Sequence, residues 1–181
     1  EMTKFAHGTG GIDLGTEHIS AEVVITVTKG DVAWVRECQT DANGDPAWVS
    51  RTKQRLSNVY GVWSWGTDPN EKFMARAHEA EAVSGNDGSR EARIRLVTSR
   101  LDSGRLLFDM NGPGVPELYE EMRKVHRRKL RSGQVILDRI RDDRTAALED
   151  AIEMLDGRRM IEIQSFTLNR KSTRPTKREY A

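Results

Sequence analysis

Hydrophobic and polar residues alternate along the first half of the chain, in the pattern of β-strands that bury one face. Apolar residues occupy every second position between Ala21 and Thr28. The short polar segment that follows favours a tight reversal into a second strand, Val32–Arg36, and therefore a β-hairpin. Similar alternation predicts two further strand pairs: Ala47–Leu56 with Val59–Trp65, and Ala92–Leu101 with Arg105–Met110.

One helix is predicted between these strand pairs. Asp68 is suited to accept hydrogen bonds from a first helical turn, and Pro69 fits that turn because its missing N–H costs nothing there. The residues that follow, as far as Ala80, are mainly good helix formers. A strand stays open as the alternative, because Phe73 and Ala75 are also spaced by two.

The second half of the chain has the spacing of helices. Pro116, with acidic residues behind it, indicates a helix start, since those acids complement the positive end of the backbone dipole. Apolar residues recur at helical spacing from Val135 to Asp156. We expect either one helix over 116–156 or, in preference, a hairpin of two helices, because an unbroken helix would be unusually long. Met160–Leu168 is predicted to be a strand.

These elements predict an α+β fold. A β-rich body, built as a small barrel or a sandwich of hairpins with one inserted helix, is followed by a basic helical segment and a final strand. Segment 111–114 is rich in Gly and Pro, which disfavour helix and strand, and it marks the junction. The predicted segments are an extended N-terminal arm (1–18), the body (19–112), the helical segment with its closing strand (113–168) and a basic C-terminal tail (169–181).

Composition and charge limit the classes of protein. Leu, Ile, Val and Phe make up 21% of the 181 residues, which allows only a thin core. The net charge of +1 divides into −3 over residues 1–115 and +4 over residues 116–181. No apolar run is long enough to cross a bilayer, and the pattern of a signal peptide is missing. We therefore expect a soluble protein without a membrane partner, cytoplasmic or within an assembled particle.

The positive charge is concentrated in one segment and in the tail. Segment 123–131 contains six Lys and Arg residues and no acid. If it is helical, Arg123, Arg127 and Arg131 form one row, which could bind a series of phosphates. The alternative is a solvated face paired with acids, as Glu120 and Lys124 could be. The candidate phosphate- or partner-binding residues are Arg123, Lys124, Arg127, Arg128 and Arg131, with Arg170, Lys171, Arg174, Lys177 and Arg178 in the tail.

Tryptophans form a second candidate site. Trp34, Trp63 and Trp65 lie on predicted strands, where exposed rings could stack on bases or sugars. In a chain this poor in aliphatic residues, the alternative is that they belong to the core or to a subunit interface.

No catalytic residue, metal ligand or cofactor is predicted. Asp41, Asn43 and Asp45 begin like a calcium loop, but the downstream bidentate Glu is missing. The four His residues are scattered, and Cys38, the single cysteine, excludes an internal disulfide and a zinc site built on several cysteines.

The predicted function is therefore non-enzymatic. The preferred hypothesis is a structural subunit of a homo-oligomeric assembly, such as a phage-like virion component, whose arms 1–18 and 169–181 contact other copies of the chain. The alternative is a nucleic-acid-binding module, for DNA or RNA, that uses the basic helix and tail. An enzyme would require acids and histidines that are distant in sequence to converge.

Overall fold

A computed structural model describes residues 5–15, 19–68, 76–83, 89–124, 126–129, 135–138 and 142–156. In these residues the elements, in chain order, are β1 (Phe5–Asp13), β2 (Ser20–Thr28), β3 (Ala33–Asp41), α1 (Pro46–Tyr60), β4 (Val62–Thr67), β5 (Glu81–Ala82), α2 (Ser89–Asp102), β6 (Leu106–Phe108), α3 (Val115–Lys124), β7 (His126–Lys129), β8 (Val135–Asp138) and α4 (143–156).

Six strands form one open mixed sheet in the order β5-β4-β1-β2-β3-β6. Strands β1, β2 and β3 are antiparallel neighbours, whereas β4 is parallel to β1 and β6 is parallel to β3. The chain therefore passes through α1 to cross from β3 to the far side of β1, because parallel strands need a long connection. Strands β7 and β8 pair separately as an antiparallel hairpin between α3 and α4.

Helices cover both faces of the sheet. On one face, Val23 and Ile25 of β2 pack with Leu118 of α3 and Ile152 of α4. On the other face, Val24 packs in a second cluster that includes Leu56 of α1 and Trp65 of β4. Strand β2 is thus buried on both faces, as expected for a central strand of a layered α/β domain.

The prediction of a fold that combines helices and strands is confirmed, and the small barrel or sandwich of hairpins is wrong. Residues 5–13, expected to lie in an extended arm, form β1 in the middle of the sheet. The glycines that suggested an arm are required by contacts: a Cβ at Gly10 would lie 2.3 Å from the Trp65 ring, and one at Gly11 would lie 1.8 Å from the Ala147 carbonyl oxygen. The division of the chain into four segments stays a prediction.

Two predicted strands are helices. Segment 47–56 lies in α1, where Asp45 caps the helix by accepting from the Ala47 N–H at 2.9 Å and Pro46 occupies the first turn. Segment 92–101 lies in α2. Gly104 (φ 65°) takes the left-handed conformation after this helix, and the Arg105 N–H donates back to the Arg100 carbonyl. The glycine predicted for a hairpin loop therefore ends a helix.

The remaining predictions have mixed outcomes. The hairpin of β2 and β3, the position of β4 and the start of α3 are confirmed. Neither predicted arrangement of 116–156 is correct, because α3 ends at Lys124 and the β7–β8 hairpin precedes α4. The strand Met160–Leu168, the tail and most of the helix predicted from Asp68 lie outside the described residues. None of the described helices is long and apolar enough to span a membrane.

Candidate active site

Two aspartates lie at the carboxyl ends of the adjacent parallel strands β1 and β4. The register pairs Gly11 with Gly66 and Ile12 with Thr67. One step further along each strand are Asp13, the last residue of β1, and Asp68, which follows β4 directly. Because the carboxyl ends of parallel strands meet at the same edge of a sheet, the fold places these two carboxylates side by side.

Helix α4 adds a third aspartate, Asp150, to this edge. The helix crosses β1 at backbone distance, and Thr9 of β1 donates to the Ala151 carbonyl oxygen at 3.1 Å. Gly66 of β4 allows the same approach, since a Cβ there would lie 3.0 Å from the Asp150 carbonyl oxygen. Small residues on both strands therefore let α4 come close enough to bury Asp150, which is only 2% exposed.

The electrostatics of Asp150 show that the three aspartates act on one another. Burial raises the pKa of Asp150 well above its ordinary value, Arg93 opposes this, and the charges on Asp13 and Asp68 add to it. A neighbouring carboxylate disfavours ionisation, just as low-dielectric surroundings do. Burial and the two neighbouring aspartates therefore oppose the ionisation of Asp150, and a cation beside it would favour the ionised form.

Arg93 of α2 is the positive side chain at this site. Its Nη2 atom donates to Asp68 Oδ2 at 3.3 Å, and its Nε atom lies 3.4 Å from Asp150 Oδ1. Its Nη1 atom lies 3.8 Å from Glu153 on the next turn of α4. The Arg93 side chain is 5% exposed, so it is enclosed between α2, α4 and the end of β4.

The donor set fits a hard divalent cation. Carboxylate oxygens are the ligands that Mg²⁺ and Mn²⁺ prefer, and the Oδ1 atom of Asp150 is buried without a hydrogen bond in the described part of the chain. Among the described residues, no three acidic, His or Cys side chains stand ready at ligating distances. Asp13, Asp68 and Asp150 would hold the ion after moving closer together.

A neighbouring charge cluster holds α2 and α4 together beside the site. Arg90 donates to Glu149 at 3.2 Å and is also paired with Asp142, which precedes α4. Burial raises the pKa of Glu149 to about 7, against the opposing effect of Arg90. This cluster fixes α4 and with it the position of Asp150.

The structure places the predicted basic residues on different elements. Arg123 and Lys124 are exposed at the end of α3, and Arg123 pairs with Glu120 at 3.0 Å. Arg127 and Arg128 lie in β7, so the helical row expected with Arg131 does not form. Arg131, Arg170, Lys171, Arg174, Lys177 and Arg178 lie outside the described residues. The role of these residues in binding stays a prediction.

The three candidate tryptophans have different environments. Trp65 is buried in the core, and its Nε1 atom donates to Ser57 at 2.9 Å. Trp63 is 58% exposed, with His7 stacked edge-on at 5.9 Å. Trp34, in β3, is half-buried. Trp63 therefore has the exposed ring that stacking requires, and the stacking role stays a prediction.

Sequence reasoning missed all three aspartates of the site. Asp13 ends a Gly-rich segment that favours an extended arm, and Asp68 occupies the position of a helix cap before Pro69. A usable signal was present at Asp150, because Glu149 and Asp150 are flanked by Leu148 and Ile152 on a helix with a continuous apolar surface. Acids in that context are expected to be buried, and a buried carboxylate is a candidate for either a functional residue or a structural ion pair.

The fold is similar to that of solved nuclease domains of phage large terminases. The nuclease domain from bacteriophage SPP1, with bound manganese, is 19% identical over 83% of this chain and 88% of that one, with a TM-score of 0.64. The nuclease of thermophilic phage G20c with bound magnesium is 20% identical over 81% and 80%, with a TM-score of 0.61. The HK97 large terminase is 13% identical over 84% of this chain and 40% of that one, with a TM-score of 0.66. This chain therefore spans under half of the HK97 protein. No known protein family and no curated protein sequence matches the chain.

These similarities overturn the predicted function. The chain has the fold of nuclease domains, so the hypothesis of a non-enzymatic structural subunit of a virion is wrong. The terminal arm on which that hypothesis depended is, over Phe5–Asp13, a central strand of the sheet. The alternative hypothesis, interaction with nucleic acid, agrees better with the fold.

Proposed function

We propose that this chain is a metal-dependent nuclease domain that cleaves DNA. The observation that carries the proposal is the convergence of Asp13, Asp68 and Asp150, which three separate elements bring to one edge of the sheet. Solved nuclease domains with the same fold contain manganese, cobalt or magnesium. Oxygen donors of this kind suit all three ions, and magnesium and manganese best.

The three aspartates would hold the metal and set its place on the sheet edge. A bound divalent ion supplies an activated water and stabilises the charge that develops on a phosphodiester. Asp13 and Asp68 are fixed by the strand ends, and Asp150 is fixed by the packing of α4 on Gly11 and Gly66. The enclosure of Asp150 strengthens its attraction for a cation, because fewer water molecules screen the charge.

DNA is the proposed partner, bound through its backbone by the basic residues at the end of α3 and in β7. Arg and Lys neutralise phosphates without reading sequence, which suits an enzyme that cuts many sites. Arg123, Lys124, Arg127 and Arg128 are the members of this set on described elements. Association with copies of the chain stays a prediction.

The test is cleavage of supercoiled plasmid DNA with Mg²⁺ or Mn²⁺, compared with excess EDTA. We expect nicking and linearisation that require the metal and that are lost in Asp13→Asn, Asp68→Asn and Asp150→Asn. The control is Asp102→Asn, because Asp102 is exposed at the end of α2 and outside the site. Cleavage that persists in EDTA, or in all three site variants, would refute the proposal.

A further inference from the structure

Three arginines of α2 point at α4, and they are held in different ways. Arg90, Arg93 and Arg100 lie on one face of α2, whereas Arg95 is exposed. Arg90 donates from Nε and Nη2 to Glu149 and Asp142. Arg100 donates from Nε and Nη2 to Asp156, and the hydrogen bond from Nε is 3.1 Å long. Each of these two guanidinium groups therefore makes two hydrogen bonds to carboxylates, as expected for structural ion pairs.

Arg93 is held loosely although it is as buried as Arg100 and more buried than Arg90. It makes one hydrogen bond, to Asp68 at 3.3 Å, while its Nε and Nη1 atoms have no hydrogen-bond partner in the described part of the chain. Charge-assisted pairs of Arg with carboxylates are usually about 2.7–2.9 Å long. The separations of 3.4 Å from Asp150 and 3.8 Å from Glu153 are therefore those of a cation that neutralises nearby acids without being fixed by them.

We propose that Arg93 is the resident counter-cation of the carboxylate site and competes with the divalent metal for Asp68 and Asp150. This inference rests on the proposed nuclease function. It concerns a residue of the chain that would tune the metal affinity of the site.

The geometry explains why the two cations exclude each other. A guanidinium is a wide planar group, and it keeps the surrounding carboxylates apart. A magnesium ion needs its oxygen ligands at about 2.0–2.1 Å, so the same carboxylates must move towards one centre. The carboxylates around Arg93 do not stand at such distances in the described residues, in agreement with this spacing effect.

Because Arg93 competes with the metal, a variant that lacks its positive charge should gain metal affinity and lose stability in the absence of metal. Arg93→Gln should bind metal more tightly, because the ion no longer has to displace a positive group. In EDTA the same variant should be less stable, because Asp68, Asp150 and Glu153 then repel one another without compensation. A purely structural arginine would give the second effect alone.

The experiment is Mn²⁺ titration by isothermal calorimetry, with melting temperatures in EDTA and in saturating Mn²⁺. For Arg93→Gln we expect an affinity about tenfold tighter than that of the wild type, a lower melting temperature in EDTA and a larger rise on adding Mn²⁺. The matched control is Arg100→Gln, two helical turns along α2 with partners Asp31 and Asp156. That variant should lose stability without gaining affinity for Mn²⁺.

Unchanged or weaker Mn²⁺ binding by a folded Arg93→Gln protein would overturn the proposal. Absence of Mn²⁺ binding in the wild type and in Arg93→Gln alike would instead refute the proposed metal site itself, which separates the two failures. If Arg93→Gln does not fold, the wild type supplies the test. On adding Mg²⁺, the guanidinium Nε resonance of Arg93 should shift by NMR while those of Arg90 and Arg100 stay in place, and a stationary Arg93 resonance would refute the competition.

Discussion

Gly11 of β1 and Ala147 of α4 are in direct backbone contact: a Cβ placed on Gly11 would lie 1.8 Å from the Ala147 carbonyl oxygen and 2.5 Å from the Ala151 nitrogen. A strand and a helix rarely approach so closely, and the approach is possible only because Gly has no side chain. The contact sets the height of α4 above the sheet. It therefore sets how far Asp150 lies from Asp13 and Asp68.

Gly11→Ala should destabilise the fold and reduce metal binding together. The added methyl meets backbone atoms of Ala147 and Ala151, so α4 has to move away from β1. We expect a loss of about 3 kcal/mol in the free energy of unfolding, measured by urea denaturation, because overpacking of a tight contact costs this much. The control is Gly30→Ala in the β2–β3 turn, where the nearest atom to a new Cβ is 3.8 Å away. Equal effects at the two glycines would contradict this interpretation.

Asp150→Asn should separate stability from activity. The folded protein raises the pKa of Asp150 well above its ordinary value, chiefly through burial. The unfolded chain therefore ionises this group more readily, so the carboxylate costs folding free energy at neutral pH, and the cost falls as the pH is lowered. In EDTA at pH 7 the Asn variant should be more stable than the wild type by thermal denaturation. DNA cleavage should fall by about a hundredfold or more.

Asp102→Asn is the control for Asp150→Asn. It removes an exposed carboxylate of the same size and should change neither the melting temperature nor the rate of DNA cleavage. A variant at Asp150 that loses stability and activity in parallel would show that the carboxylate supports the fold through Arg93.

The hairpin of β2 and β3 could be predicted because alternation of apolar residues and a polar turn are local signals. Local signals could not show that α2 is a helix and not a strand, because Arg93 and Arg95 fit an alternating strand as well as a helix. The helix is favoured because it lets Arg93 and Arg100 pair with acids on α4. Those acids are distant in sequence, so the residues around α2 do not reveal them. At α1 the signal was present: Asp45-Pro46 is a helix-start pair.

The candidate site could not be predicted because it depends on pairing between distant segments. Asp13 and Asp68 become neighbours only when β4 is placed parallel to β1. The glycines of β1 resemble those of a mobile segment until Trp65 and α4 are packed against them. The local composition of residues 5–13 thus indicates a mobile arm, whereas the long-range contacts with Trp65 and α4 stabilise a strand.

Glu22→Gln should stabilise the protein, and the gain should grow with pH. Glu22 is fully buried in β2, and burial raises its pKa to about 9 although Lys53 and Arg55 oppose the shift. Between pH 4.5 and about 9 the unfolded chain loses this proton and the folded chain keeps it, so the stability of the wild type falls as the pH rises. At pH 7 we expect a gain of about 3 kcal/mol in the free energy of unfolding.

Urea denaturation at several pH values measures this effect. Only the difference between Glu22→Gln and the wild type is informative, because other buried acids titrate as well. Glu117→Gln, an exposed substitution on α3, serves as the control and should give no trend. A gain from Glu22→Gln that is the same at pH 5 and pH 8 would show that Lys53 or Arg55 keeps Glu22 ionised.

The double variant Arg127→Ala/Arg128→Ala should weaken DNA binding in a salt-dependent way. Both residues lie in β7 of the hairpin between α3 and α4, in the segment proposed to bind the phosphate backbone. The slope of log K against log salt concentration should become shallower by about 2, since each lost phosphate contact removes about 0.9. Fluorescence anisotropy with a labelled duplex at three or more salt concentrations measures this slope.

The control is Arg51→Ala/Arg95→Ala, which removes the same charge from exposed positions on α1 and α2 and should leave the slope nearly unchanged. Equal losses in the two double variants would mean that overall charge, and not the hairpin, attracts the DNA.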